Sequence, residues 1–374
     1  MSRLRMAAVA ALTLALSACA AAPTQTPASA APPSSTPAPA SASASVPAPS
    51  PSASPSSPAP SLDLAHPDVV RFALDWTPNT DHTGLFVAQA QGWYRDAAID
   101  LRILPYSSLA PEALMATGQA DCGISFQDSL TFAVASGARI ESVMAILQHA
   151  ASAVAVLDDS GITRPRQLDG KTYAGFGYPN EVPTVKAVIK ADGGKGVFKV
   201  VVADSTAYEA LYSHKADFTI PFLAWEGVEA AERGIKLRTF AFTDYGFPDF
   251  YQVVIACSND WLAAHPEVAR RFVAVTQRGF ALAASDPASA AAMLIAQNPG
   301  VFDANPKLPV DSARFLADGG YLVDASGQVG RQTLAEWTAY SKFLYDQGLL
   351  AGPDGKPLAA PPDYAALFTN EFLP

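Results

Sequence analysis

The sequence predicts an α/β fold in which one unit is inserted into another. Three observations carry that prediction. From Val69 onward, short apolar runs alternate with stretches of helical character, the pattern of strands exchanged with covering helices. Clusters of polar and aromatic residues recur where those strands end. Two segments, near residues 150 and 252, lead from one α/β unit into a second and back again. Two units joined by two crossings make a hinge, with a cleft between the lobes.

Each element follows from its letters. "VVRFALDW" reads as a strand and "GLFVAQAQ" as a helix stopped by Gly92 at a C-cap position. "IDLRILPY" is a strand, "APEALMATGQA" a helix, and "DCGISF" a strand that meets the helix "QDSLTFAVASG", with Asp128 or Ser129 as its cap. "ESVMAILQHAASAVAVLDDSGI" holds two strands with a crossing between them. In the second unit "KTYAGFG" is a strand, "YPNEVP" a loop and "TVKAVIKADGG" a helix. "FKVVVA" and "STAYEALYSHKA" follow as strand and helix, and "DFTIPF" is a strand running into "LAWEGVEAAERG". "YQVVIACS" returns to the first unit, and mostly helical sequence completes the chain. The expected boundaries are 67–150 with 255–374 for the first lobe and 151–254 for the second.

Ahead of the lobes stand a leader, 1–18, and a linker, 19–66. Arg3 and Arg5 precede an apolar stretch too short to anchor in a bilayer, and "LSAC" ends it with small residues before Cys19. This pattern resembles a bacterial lipobox, which implies cleavage before Cys19 and a lipidated thiol. The expected location is therefore extracytoplasmic, held to the cell membrane as a lipoprotein. Ala20 to Ser61 is almost wholly Ala, Pro and Ser, with no apolar periodicity to offset the cost of ordering it. It reads as a stiffened disordered stalk.

A net charge of −10 over 374 residues argues against nucleic acid or an anionic membrane surface as a partner. Beyond Cys19 the chain has only Cys122 and Cys257. Their strand-like apolar contexts read as buried free thiols, with one disulfide as the alternative. No cluster has metal-ligand spacing, so neither a metal nor a cofactor is expected.

Four clusters fall at equivalent strand ends: "DWTPNTDH", "SFQDS", "GYPNE" and "FLAWEG". Ligands of open α/β sheets sit beyond the carboxyl ends of the strands. Each cluster also has a structural reading. Trp76 fits a core ring, Asn79 and Asp81 are turn formers, His82 suits a satisfied loop position, and Glu181 and Glu226 favour helix N-termini. The recurrence of four such clusters makes the site reading the stronger one.

"DWTPNTDHTGLFVAQAQGWY", Asp75 to Tyr94, closely resembles the opening motif of the thiamine-pyrimidine family. That family comprises bacterial binding proteins for formylaminopyrimidine and fungal enzymes that make hydroxymethylpyrimidine phosphate. The resemblance continues through "GISFQDS", "WEGVE", "YGFPDFYQVVIACSNDWL", "RGFALAASDPASAA" and "PPDYAALFTNEFL", nearly all of residues 68–374. It implies a two-lobed periplasmic-binding-protein fold of type II. The enzymes of the family carry a lysine and, four residues on, a histidine where this chain has Ser125 and Ser129. A cysteine-rich run of theirs is replaced here by "YGFPDFYQ". Without the lysine no Schiff base to pyridoxal phosphate forms, so the resemblance implies a binding protein with no catalytic residues.

The expected ligand is a flat thiamine pyrimidine precursor, with another flat heterocycle such as riboflavin as the alternative. Trp76 would stack on one face, opposed by Tyr178, Trp225 or Tyr251, and Phe126 stands in the same set of clusters. Glu226 or Glu181 would pair with an amino edge, and Asn79, His82 and Gln127 would complete the polar rim. The implied partners are the permease and ATPase subunits of an ABC importer, with the binding protein itself a monomer. A surface sensor or adhesive module would use the same fold without transport.

Overall fold

The computed structural model describes residues 62–374 except Ser108 and Pro179. The expected leader, the lipidated Cys19 and the linker as far as Ser61 lie outside the described residues.

Among the described residues nine strands run in chain order: β1 Asp68–Ala73, β2 Ile99–Leu104, β3 Cys122–Ser125, β4 Ile140–Ala145, β5 Ala153–Leu157, β6 Thr172–Gly175, β7 Lys199–Val202, β8 Leu237–Ala241 and β9 Val254–Ser258. One sheet has the order β2-β1-β3-β9-β4. Its β1 pairs in parallel with β2 and β3, whereas β9 runs antiparallel to β3 and β4. Parallel neighbours require a crossover, which the helix Thr83–Ala90 supplies between β1 and β2. β3, in the middle, is buried at every residue, as expected of a strand covered on both faces.

The helix Thr83–Ala90 lies against the long helix Pro266–Ser285, and two glycines permit the close approach. A Cβ built on Gly279 would sit 2.0 Å from the Gly84 carbonyl oxygen. Phe72, Leu85, Phe272 and Phe280 fill the core beside this crossing, all fully buried. Each such side chain contributes about 1.5–3 kcal/mol relative to exposure.

The chain leaves this sheet after Ala145, enters β5 at Ala153, and returns from β8 at Ala241 to β9 at Val254. Between those points β5 pairs antiparallel with β8, and β6 pairs in parallel with β7. Bridges from Thr219 to Ala155 and from Phe218 to Tyr173 seat residues 218–219 between the two pairs. The two crossings are tied together: Asp249 accepts from the Ala150 backbone N–H at 2.9 Å, and Gln252 accepts from that of Ala151 at 3.1 Å. The late helix Leu334–Asp346 serves both lobes, with Trp337 in the core beneath the first sheet and Tyr340 and Leu344 in the core of the second.

Several local expectations change in the structure. "DFTIPF" forms isolated bridges rather than a strand, because Pro221 has no N–H to give to a ladder. "YPNEVP" is not wholly loop, since the helix Glu181–Ala191 begins inside it and takes Pro183 into its first turn, where a missing N–H costs nothing. The helix Gln127–Ala135 has Phe126 at its N-cap without a side-chain cap, and Asp128 instead accepts from the Ser129 N–H at 2.7 Å.

The free-thiol reading of Cys122 and Cys257 is also corrected. The two residues are opposite one another on the antiparallel pair β3–β9 and form a disulfide. That register brings them together across a sequence separation of 135 residues.

Candidate ligand-binding site

A cavity of about 840 Å³ lies where the predicted clusters meet. Each cluster follows a strand or bridge: residues 75–82 after β1, 126–129 after β3, 176–181 after β6 and 222–227 after the bridged segment.

Seven of the ten residues expected at the site line the cavity: Trp76, Asn79, Phe126, Tyr178, Glu181, Trp225 and Glu226. Trp76 is only partly buried and meets Tyr106 with ring centroids 5.6 Å apart and Phe176, edge on, at 6.1 Å. One turn of π-helix, Leu223–Gly227, presents both Trp225 and Glu226. Such turns are uncommon and often mark functional positions. Asn79 also performs the turn role open to it, since its side chain accepts from the Asp81 N–H at 2.8 Å. Glu181 has both oxygens engaged by the backbone N–H groups of Phe176 and Gly177, which shapes the loop carrying Tyr178.

Three expected residues stand behind the wall instead. His82 is fully buried: Nδ1 accepts from the Asn79 N–H at 3.2 Å, which leaves Nε2–H to donate to Asp75 at 2.8 Å. Gln127 accepts from the Tyr251 N–H at 2.9 Å and donates to the Glu336 carbonyl at 3.2 Å, so it joins a crossing to the late helix. Tyr251 donates to the Glu336 carboxylate and accepts from the Thr333 N–H. A polar side chain whose bonds are all made inside the protein has none to offer a ligand.

Four further carboxyl groups that were not anticipated line the cavity: Asp75, Asp81, Glu112 and Asp128. With Glu181 and Glu226 that makes six, and no Lys, Arg or His is among the described lining residues. Asp81 is buried and its Oδ1 has no hydrogen-bond partner. Burial first, and then the nearby Asp75 and Glu226, push its carboxyl well above the usual range. Burial pushes Glu226 up to about 8, although its carboxylate accepts from the Phe222 N–H. Burial likewise raises Glu112 to about 6 against the opposing hydrogen bond from the Ser125 hydroxyl. An uncompensated set of carboxyl groups in a desolvated wall favours a ligand that brings N–H donors or positive charge. Asp75, Asp81 and Asp128 sat within the quoted strand-end clusters; Glu112, in the helical stretch "APEALMATGQA", by contrast, had no such signal.

Among the described residues no group of His, Cys, Asp and Glu is arranged to hold a metal ion.

An inserted second lobe, a five-stranded first sheet with one antiparallel return strand, and a cavity at the strand ends define a periplasmic-binding-protein fold. Solved structures agree. The ligand-binding component of an ABC-type import system from Staphylococcus aureus is similar with a TM-score of 0.61 at 15% identity, covering 82% of this chain and 97% of that one. The alkanesulfonate-binding protein SsuA from Xanthomonas axonopodis pv. citri, bound to MOPS, is similar with a TM-score of 0.60 at 14% identity, covering 82% and 98%.

The chain belongs to the NMT1/THI5-like family, whose model matches residues 79–290. It is 24% identical over 283 residues to a formylaminopyrimidine-binding protein of Halalkalibacterium halodurans, covering 74% of this chain and 84% of the relative. It is 26% identical over 324 residues to a 4-amino-5-hydroxymethyl-2-methylpyrimidine phosphate synthase of Saccharomyces cerevisiae, covering 82% and 88%. The family therefore holds both binding proteins and enzymes.

Proposed function

We propose that this protein is the solute-binding subunit of an ABC importer and takes up an amino-bearing heterocycle of the thiamine-pyrimidine type. The observation that carries this reading is the buried Asp81 oxygen without a partner, beside Asp75 and Glu226, in a cavity with no cation among its described lining residues. An exocyclic amine would supply the missing donor, ring nitrogens would accept from carboxyl groups that burial keeps protonated, and Trp76 would cover a flat face. The same wall repels a sulfonate, so a shared fold with a sulfonate binder does not carry over to its ligand. The formylaminopyrimidine-binding relative supports the choice of heterocycle.

Binding rather than synthesis is favoured by the residues that stand where the family's enzymes carry lysine and histidine. Ser125 is buried and donates to Glu112, and Ser129 offers the cavity a hydroxyl. Neither supplies an amine or an imidazole. The lobes 67–150 with 255–374 and 151–254 would close on the ligand about the paired crossings. The lipobox-like "LSAC" supports an extracytoplasmic lipoprotein that works beside permease and ATPase subunits.

Calorimetric titration with 4-amino-5-hydroxymethyl-2-methylpyrimidine and with methanesulfonate tests the reading. Binding of the pyrimidine and not of the sulfonate is expected; the opposite preference would overturn it. Mass spectrometry of the small molecule that co-purifies would name the heterocycle directly.

A further inference from the structure

The cavity is larger than one pyrimidine needs, and its two ends differ in chemistry. A substituted pyrimidine of about ten heavy atoms takes up no more than ~300 Å³ at the ~30 Å³ share of a liquid water. More than half of the 840 Å³ is then left over.

Asp128, Phe132 and Ser136 all line the cavity and lie at i, i+4 and i+8 along the helix Gln127–Ala135 and its C-cap, so one face of that helix leads the lining about 12 Å away from the carboxylate. Beyond Asp128 the lining changes to Phe132, Ser136, Phe250, Tyr340, Leu349 and Ala351, which include no charge. Phe250 and Tyr340 stack with centroids 4.0 Å apart and planes within 8°, so one ring backs the other as a rigid aromatic pair in the lining. The helix Gln127–Ala135 and the segment after Leu334–Asp346 meet at the far end of this second compartment, where the Ser136 hydroxyl donates to the Ala351 carbonyl at 3.4 Å. Water in such a compartment has few partners, and an apolar group gains by replacing it.

We propose that the natural ligand has two parts: an amino-bearing heterocycle at the carboxylate end and an apolar, ring-sized substituent in the compartment walled by Phe250 and Tyr340. This rests on the amino-heterocycle reading of the site and specifies what the heterocycle carries. The polar end sets orientation, and the apolar end discriminates between heterocycles that share the same amino edge.

The test compares two probes on the full chain by calorimetry: 4-amino-5-hydroxymethyl-2-methylpyrimidine and its 5-benzyl counterpart. The benzyl compound is expected to bind at least ~10-fold tighter. Ala351→Trp, which fills the compartment from a partly exposed position, is expected to remove that advantage and to leave the hydroxymethyl probe within about twofold. Leu349→Ser, which strips apolar wall without adding bulk, is expected to reduce the advantage as well. Equal or weaker binding of the benzyl probe to the wild-type protein overturns the two-part ligand and leaves the amino-heterocycle reading in place. Persistence of the full advantage in both variants also overturns it. Binding of neither probe overturns both.

Discussion

The side-chain amide of Asn180 donates to the Asp128 carboxylate at 2.5 Å and so bridges the cleft between the helix after β3 and the loop after β6. The bond joins residues 52 positions apart in the chain, one from each lobe, and its acceptor lines the cavity. On closure of the lobes it would act as a latch. A ligand that favours closure should give a smaller radius of gyration by small-angle scattering. Asn180→Ala should move the liganded profile toward the open value and weaken binding by about fivefold to tenfold, since hydrogen bonds to charged groups contribute ~1.5–3 kcal/mol. An unchanged profile and affinity would remove the latch.

Trp76→Ala should weaken binding of the aminopyrimidine by on the order of tenfold or more, as ~1.4 kcal/mol is a factor of ten. The partly buried ring contacts Tyr106 and Phe176 at the cavity rather than filling a core. The melting temperature of the unliganded variant should therefore stay close to that of the parent. A fully core-packed ring would instead cost about 3–5 kcal/mol on truncation, which thermal melts would reveal at once.

Glu226 and Glu112 predict a pH dependence of unliganded stability. Burial raises them to about 8 and about 6 from an ordinary 4.5, so between those values the folded state holds more protons than the unfolded chain. For such groups the stability is fully present below the unfolded pKa and is lost as pH rises through the folded one. The unfolding free energy should fall from pH 5 to pH 8, by about 1.4 kcal/mol for each pH unit a single such group crosses, and the melting temperature should fall with it. Glu226→Gln should flatten the upper part of the slope, pH 6 to 8; an unaltered slope there would mean that Glu226 is ionised in the fold.

The disulfide Cys122–Cys257 encloses the whole segment 151–254 and both crossings in one covalent loop. A double Cys122→Ala, Cys257→Ala variant should lose about 2–4 kcal/mol of stability in denaturant titrations. Its affinity for the aminopyrimidine should change little, because neither residue lines the cavity. A large loss of affinity with little loss of stability would contradict a purely structural bond.

Cys19→Ser should release the protein from the membrane fraction, as the "LSAC" pattern predicts lipidation at that thiol. A variant that stays bound after a high-salt wash would sink the tether.

The sequence by itself determined the alternation of strands and helices, the two crossings, and the four strand-end clusters. These features are local: short apolar runs, helix-stopping Gly92 and short polar runs are written in neighbouring residues. Only the tertiary structure decided which members of those clusters line the cavity. His82, Gln127 and Tyr251 have the right chemistry, but partners as distant as Glu336 use up their hydrogen bonds. Asp81 has the composition of a turn former, and only its burial in the fold, with Asp75 and Glu226 nearby, leaves one of its oxygens without a partner. The same holds for Cys122 and Cys257, since pairing depends on the register of β3 against β9, and nothing near either cysteine specifies it. A side chain's availability depends on what the fold brings within about 3 Å of it, and that neighbour is usually remote in sequence.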